Sequence, residues 1–443
     1  MNTRKFIGLV AASQVLIATS VHAAGFALRE FSASAMGASY AGAAATDNDP
    51  SFIFYNPAAL GGVDSFDASA NLTGLILGSN ANFRGTTAAG TPAGGSGAPQ
   101  GFISDALVPA AALRYRLTDQ LAVGLSVNTP WGESTKYPAG WEGRYYALST
   151  SLTAYNATPM VSYQLLPDLT LGAGAQIQYV HSHLSEAIDF GTLGALNGIP
   201  GSVPGKQDGY ANLHGSGWGE GYILGAMWKP TSALSLGVSY RSEVRQELKG
   251  SEQFIYDAYG VAGTINALTG AFADAGGRTG VPTPAVATAG PRWAVDDRWT
   301  ALAGVEFTNW SSFRQLLIQS TDPVNPPAVT ELNWKNTWFG SLGAEYKLDD
   351  RWTLRAGTAI DEAAAPSQTL EPRIPDANRY WISAGAGYRW TDTMDVNFGI
   401  SHLFTPQATI DQSALQLGNA LRGSLQGTSS SNATLIAVEL TVR

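Results

Sequence analysis

The chain has 443 residues, with 26 Lys and Arg against 35 Asp and Glu, a formal net charge of −9 and only 14% charged residues. This balance excludes nucleic-acid binding, which relies on dense positive charge facing phosphates. A typical soluble domain is about a quarter charged, so the shortfall, beside 50 Gly, 12 Trp, 17 Tyr and 16 Phe, points to a surface that faces something other than water. Membrane helices need apolar runs of about 20 residues. Here the run nearest that length is Phe6–Ala18, interrupted by Ser13 and Gln14. It follows Arg4-Lys5 and ends at Val21-His22-Ala23, the pattern of a secretory signal peptide spanning residues 1–23, with cleavage expected before Ala24. The absence of cysteine excludes a disulfide framework, a thiolate nucleophile and a Cys-ligated metal.

From about Ser65 onward the pattern has period two. Leu169, Leu171, Ala173, Ala175, Ile177 and Tyr179 alternate with Thr170, Gly172, Gly174, Gln176 and Gln178. The same dyad recurs at Leu234, Leu236, Val238 and Tyr240, and at Ile436, Val438, Leu440 and Val442. Six tight polar turns fall at 118–120, 167–168, 230–232, 296–298, 349–351 and 391–393. Between them lie seven long connections, at roughly 79–106, 130–144, 185–217, 250–285, 320–330, 362–378 and 407–430, rich in Gly, Pro, Ser and Thr. These connections join 14 strands with both ends on one side, the pattern of an outer-membrane barrel with short periplasmic turns and long extracellular loops. Tyr115, Tyr163, Trp228, Trp293, Trp299, Tyr346, Trp352, Tyr388 and Trp390 crowd the short turns, where a lipid-facing barrel places its aromatic girdle. A soluble sandwich also alternates, but it does not segregate long loops from short turns.

Several local motifs stand in order along this pattern: Ala24-Gly25-Phe26, Glu30-Phe31-Ser32, Asn56-Pro57-Ala58, Thr135-Lys136-Tyr137, Trp141-x-Gly143-Arg144-Tyr145, Gly217-Trp218-Gly219, Tyr240-Arg241-Ser242-Glu243-Val244, Trp310-Ser311-Ser312-Phe313 and Ile374-Pro375-Asp376-x-x-Arg379. Together they resemble the FadL/TodX family of outer-membrane transporters for long-chain fatty acids and other hydrophobic compounds. The resemblance implies a barrel over 63–443 whose lumen is plugged by a small N-terminal hatch, residues 24–62. That stretch is rich in small residues from Ala33 to Ala45, and Asn48-Asp49-Pro50 and Asn56-Pro57 are turn and helix-start signals. A periplasmic tail is the competing reading.

Two departures from the family pattern stand out. The chain ends in Arg443, where such barrels end in an aromatic residue recognised by the barrel assembly machinery. The resemblance implies that fatty-acid-binding members carry a basic residue just after the Trp-Ser-x-Phe-x-x-Leu stretch, as a partner for the ligand carboxylate, whereas this chain has Leu317 after Leu316. A buried carboxylate needs a paired cation or several hydrogen bonds, so Leu317 favours a neutral hydrophobic ligand.

The candidate ligand residues lie in the 250–285 connection. Phe254, Ala258, Val261, Ile265, Leu268 and Phe272 are spaced as one helical stripe, either a capture surface for greasy molecules or a lid packed on other loops. Gly124 is the glycine of the third strand, where the resemblance implies an inward kink that opens the wall; a small lumen-facing residue is the plainer explanation. Phe26, Asn56, Pro57 and Ala58 are the candidate gate residues of the hatch. His181 and His183 share one strand face without a third ligand at recognisable spacing, and no hydrolase elbow, P-loop or zinc-protease motif occurs. The sequence therefore predicts a monomeric, cofactor-free, non-enzymatic barrel in the outer membrane of a Gram-negative bacterium. It would pass long-chain fatty acids or neutral hydrophobic compounds passively past the hatch, with sideways exit through the wall. The rivals are a porin for polar solutes, which needs a wide charged lumen, and a surface adhesin or phage receptor. The partners expected are the lipid bilayer, the hydrophobic ligand and the assembly machinery.

Overall fold

The computed structural model describes residues 25–443, so the signal peptide and its cleavage point before Ala24 lie outside the described residues. Alternation along the chain produces antiparallel strand segments β1 (Phe66–Gly85), β2 (Ala106–Arg116), β3 (Leu121–Lys136), β4 (Ser149–Leu166), β5 (Leu169–Asp189), β6 (Asp208–Thr231), β7 (Leu234–Arg241), β8 (Val244–Ile255), β9 (Ala275–Thr283) and β10 (Val286–Ala294). The series continues with β11 (Trp299–Thr308), β12 (Gln315–Ser320), β13 (Ala328–Glu331), β14 (Thr337–Lys347), β15 (Trp352–Asp361), β16 (Arg379–Thr391), β17 (Met394–Phe404), β18 (Ala408–Gln412) and β19 (Leu425–Val442). Five staves of the wall are each broken into two segments, β7/β8, β9/β10, β11/β12, β13/β14 and β17/β18, so these segments build the 14 staves expected from the sequence. The ring closes where β1 pairs with β19 from Ala68↔Val442 to Gly85↔Leu425, which leaves no free sheet edge. Among the described residues no helix is long and apolar enough to cross a membrane, and the wall itself is the spanning element.

Period two sets the two faces. On β19, Leu435, Ala437, Glu439 and Thr441 point inward and are buried, while Ile436, Val438, Leu440 and Val442 face out. Tyr115, Tyr163, Trp228, Trp293, Trp299, Trp352 and Trp390 are exposed outside the short turns, and Tyr346 and Tyr388 pack against Trp299 and Trp352 at 4.6 and 4.5 Å. A second aromatic row, including Trp218, Tyr222, Tyr240, Trp338, Tyr380 and Phe404, is exposed nearer the long loops. The band between the rows is apolar, as hydrocarbon requires. The strands extend further than the loop boundaries read from the sequence: β5 and β6 run in register to Asp189↔Asp208, well past the outer row.

Residues 25–62 occupy the lumen and are almost wholly buried. They form the helix α1 (Ala33–Gly37) and 3-10 turns at Ala43–Ala45, Pro50–Phe54 and Pro57–Gly62. Glycines on the inner face of the wall make room for them. A Cβ on Gly237 would stand 1.8 Å from the Ala44 carbonyl oxygen, one on Gly357 2.3 Å from the Ala38 carbonyl, and one on Gly172 2.4 Å from the Ala58 nitrogen. Local caps shape the segment. Ser32 accepts from Ala35 N–H, Asp49 from Ser51 N–H and Asn56 Oδ1 from Ala58 N–H, with Pro50 and Pro57 opening their turns. The reading of Asn48-Asp49-Pro50 and Asn56-Pro57 as turn starts holds.

Two more helices lie in the long loops: α2 (Phe190–Leu196) and α3 (Val261–Thr269). They pack together through Phe190, Val261, Ala262, Ile265 and Phe272. The helix expected from the 254–272 stripe is thus confined to nine residues, because Phe254 belongs to β8 and Phe272 sits at positive φ beyond the glycine that ends α3. At the other end of the chain, Arg443 pairs with Asp395 at 2.5 Å and donates to the Asn48 carbonyl at 3.3 Å. The departure at the terminus is therefore tied both to the wall and to the lumen segment.

Candidate functional site

The wall deforms on β3. Its register with β4 slips between Asn128 and Trp131, and the slip contains Pro130, which has no N–H to give the ladder. Gly124 is not the point of distortion. It keeps its register with Met160, and a Cβ there would stand 2.4 Å from Leu60 of the lumen segment, so its smallness serves packing of that segment. Signals for the kink lay instead in Thr129-Pro130, which a search for glycine overlooks.

The N-terminal residues use this irregularity as an edge. Leu28 N–H donates to the Pro130 carbonyl and Gly132 N–H to the Phe26 carbonyl, at 2.9 and 2.8 Å, around the bridge Ala27↔Trp131. Residues 26–28 therefore form a short added strand crossing the lumen. Gly25 precedes it at φ +65, and a Cβ there would meet Trp334 at 2.4 Å and Trp310 at 2.8 Å, so only glycine fits both the backbone and the space. Phe26 is 1% exposed and enclosed by Trp131, Trp310, Phe313 and Trp334 at centroid distances of 5.9, 5.0, 5.7 and 5.8 Å. Trp310 comes from the break between β11 and β12, and Trp334 from the break between β13 and β14.

On the loop side of Phe26 lies a cavity of about 90 Å³, lined mainly by carbon. Its walls include Leu152, Leu184, Leu213, Leu248, Val281 and Leu316. The polar exceptions include Glu133 and Arg373. Arg373 donates to Glu186 at 2.6 Å, and Glu186 is shared with Arg422 at 3.1 Å, so the charge on Arg373 is already answered. Burial lowers the Arg373 guanidinium from its ordinary pKa, while Glu186 works in the opposite direction.

On the other side of residues 26–28 lies a second cavity, of about 60 Å³, bounded by Leu28, Arg29, Tyr55, Pro130, Arg241 and Glu306 among others. Arg29 pairs with Glu306 at 2.7 Å and Asp361 at 3.1 Å, and Asp361 also faces Arg379 at 3.4 Å. Arg379 in turn meets Asp376 at 3.2 Å, whose carboxylate accepts from Ala364 and Ala365 N–H. The Ile-Pro-Asp-x-x-Arg motif thus anchors the loop after β15 to the ion cluster that holds the lumen segment.

The sequence-predicted residues divide. Phe26 lines the first cavity and forms its floor, and Asn56 ties the segment down by donating to Ala44 and Ala226 carbonyls at 2.6 and 3.1 Å. Pro57 and Ala58 press on Gly225 and Gly172 of the wall. Leu317 is not in either cavity. Leu316 and Ile318 point inward and line the first one, so alternation turns Leu317 to the outer face, and the inference of a neutral ligand drawn from it has no structural basis. Val261 and Ile265 are buried at 5% each against α2, so that part of the stripe packs as a lid, as does Phe254 beside Phe272 at 5.5 Å. Leu268 is 72% exposed and Ala258, in the turn before α3, is exposed as well, so Leu268 is the large apolar side chain of the stripe that faces solvent. His181 and His183 face outward beyond Tyr179 and Trp218, where His183 stacks on His214 at 4.2 Å. Sequence reading gave no role to Trp131, Trp310, Trp334, Arg29 or Arg241; the motifs Trp-Ser-Ser-Phe and Tyr-Arg-Ser-Glu-Val carry two of them.

Comparison with known proteins agrees with this architecture. The family model described as outer membrane protein transport protein (OMPP1/FadL/TodX) matches residues 14–443. The long-chain fatty acid transport protein of Escherichia coli K12 is 27% identical over 440 residues, covering 95% of this chain and 96% of that protein. An outer membrane protein P1 of Haemophilus influenzae is 26% identical over 423 residues, covering 89% of each. The crystal structure of a Pseudomonas aeruginosa FadL homologue superposes with a TM-score of 0.86 at 26% identity, covering 95% of this chain and 99% of that one. The toluene transporter TodX of Pseudomonas putida shares the fold, with a TM-score of 0.63 at 16% identity over 93% of this chain and 98% of that one. With a closed outer-membrane wall, an occupied lumen and a family match over nearly its whole length, the chain belongs to the OMPP1/FadL/TodX family of outer membrane transport proteins.

Proposed function

We propose that this protein carries long apolar molecules, fatty acids among them, passively across the outer membrane. The observation that carries the reading is the carbon-lined cavity closed from below by Phe26. A long-chain molecule leaves water because burial of its apolar surface is favourable by about 25 cal/mol per Å². Leu268, exposed on α3, offers the first greasy contact, and the cavity offers the second. Residues 24–62 act as a hatch: the added strand at residues 26–28 is held to β3 by two hydrogen bonds, so it can detach without disturbing the wall. The departure route is sideways at Thr129–Pro130, because a greasy solute gains from reaching lipid and gains little from a water-filled exit. A lumen filled by residues 25–62 runs against the polar porin reading.

The test is uptake of a labelled long-chain fatty acid by cells that depend on this protein, comparing the parent with Leu152→Asp and Val281→Asp. A carboxylate in the cavity should abolish uptake of fatty acid and neutral hydrocarbon alike while surface expression stays equal. Undiminished uptake by both variants would remove the cavity from the route.

A further inference from the structure

The two cavities differ in their cations. In the upper one, buried Arg373 is matched by Glu186, and the second lining guanidinium, Arg278, is exposed to solvent. In the lower one, Arg29 is matched by Glu306 and Asp361. Arg241 is the exception: it points inward from β7, lines the lower cavity, and donates to two neutral acceptors, Gln176 Oε1 at 2.6 Å and the Phe54 carbonyl at 2.8 Å. Among the described residues, no carboxylate forms an ion pair with it. A guanidinium has five N–H donors in a planar fork that matches a carboxylate, so Arg241 retains donors beyond the two in use. A charge removed from bulk water without a counter-charge is costly, and the cavity beside it, at about 60 Å³, exceeds the roughly 10–15 Å³ needed by one water.

We infer that Arg241 and the cavity below Leu28 form a carboxylate site that selects anionic chains over neutral ones of equal length. The inference rests on the transport reading above and adds the chemistry of the ligand's head. A fatty acid that displaces residues 26–28 head first would bring its carboxylate from the upper cavity, where buried Arg373 is already paired, to Arg241, which Glu306 of the same cavity attracts at longer range while its carboxylate is hydrogen-bonded to Arg29. Bidentate pairing there compensates for the water lost by the carboxylate, while the tail stays among Leu152, Leu248 and Val281. A neutral chain gains nothing at this point.

The experiment uses the full-length protein in liposomes, with oleate and oleyl alcohol as probes. Arg241→Gln should lower oleate transport roughly tenfold or more, the worth of a charge-assisted hydrogen bond, and leave oleyl alcohol within about twofold. Arg241→Lys should recover part of the oleate rate. Because Arg241 also holds Phe54, a second variant leaves it in place: Gln176→Glu supplies an internal carboxylate at the 2.6 Å contact and should depress oleate selectively. If oleate and oleyl alcohol fall together in Arg241→Gln and neither responds selectively to Gln176→Glu, Arg241 is only an anchor for the hatch and the site is refuted. Failure of the parent to carry either probe would instead refute the transport reading.

Discussion

The wall and the segment inside it are held by different physics. The wall repeats one unit, a backbone ladder with alternating side chains, from β1 round to β19. Residues 25–62 have no ladder apart from the bridge at Ala27; they are fixed by single contacts, each with its own geometry. Asn56 reaches Ala44 and Ala226, Ser39 reaches Ser383, Arg29 reaches Glu306 and Asp361, and Tyr55 accepts from Ser239. A repeated ladder opens only cooperatively, whereas a set of discrete contacts opens piecemeal. On the transport proposal, the difference separates the segment expected to move from the wall expected to stay closed.

The comparison can be broken most directly with two glycines. Gly237 faces Ala44 with no room for a side chain, whereas Gly340 faces outward with nothing within 4 Å. Gly237→Val should unseat the lumen segment, at a cost of about 1–3 kcal/mol or more, and raise single-channel conductance in planar bilayers. Gly340→Val should leave conductance unchanged and shift stability by no more than about 0.5 kcal/mol. Equal behaviour of the two would mean that the segment does not depend on wall glycines.

Removing one discrete anchor comes next. Asn56→Ala loses a cap and two further hydrogen bonds, so residues 43–62 should open more readily by about 1–3 kcal/mol. Hydrogen exchange read along the chain should show this with the strands unaffected; protection lost evenly from the strands would count against the division.

A smaller effect is expected at Gly25. Gly25→Ala forces a side chain into a left-handed backbone, at about 1–2 kcal/mol, and toward Trp334. Since the chain lacks cysteine, a single Cys placed at Ala27 reports the displacement of residues 26–28 through its labelling rate. An unchanged rate would show that Phe26 alone holds the partition.

The loop stripe and Leu317 give the mildest tests. Leu268→Asp should weaken uptake at low ligand concentration with no change in thermal midpoint, whereas Ile265→Asp should lower the midpoint of loop melting because it buries a charge against α2. Leu317→Lys should not alter the preference between oleate and oleyl alcohol, because the side chain points away from both cavities. A selective gain for oleate there would restore the position to the ligand site.

What the sequence made legible follows the same division. The strands announce themselves because one face must meet hydrocarbon, so Leu169 to Tyr179 alternate without exception, and the six polar turns mark one rim. The segment in the lumen shows through its caps and small residues, but its partners do not, because nothing in Arg29 announces Asp361, 332 residues away. Leu317 was misjudged for a related reason. Its place came from the resemblance, which marks a position along the chain and not the side that its side chain faces on the short strand after the break at Trp310–Ser312. The 254–272 stripe matched helical spacing across a strand end and a turn, since six apolar residues can keep that spacing without sharing a helix. Arg241 lay within a motif that marked its place and not its two neutral acceptors, Gln176 and the Phe54 carbonyl, which come from other parts of the chain.

The order of assembly follows from where the lumen segment finds its partners. Ala33 N–H is held by Glu439, 406 residues later, and Asp49 by Thr441, 392 residues later, both on the final strand. The first stretch of the described chain therefore has no complete seat until the last stretch has joined the ring, and contacts of such separation form late. Arg443, the final residue, donates to the carbonyl of Asn48. The strand that closes the wall is thus the same strand that supplies the lumen segment with its most distant partners.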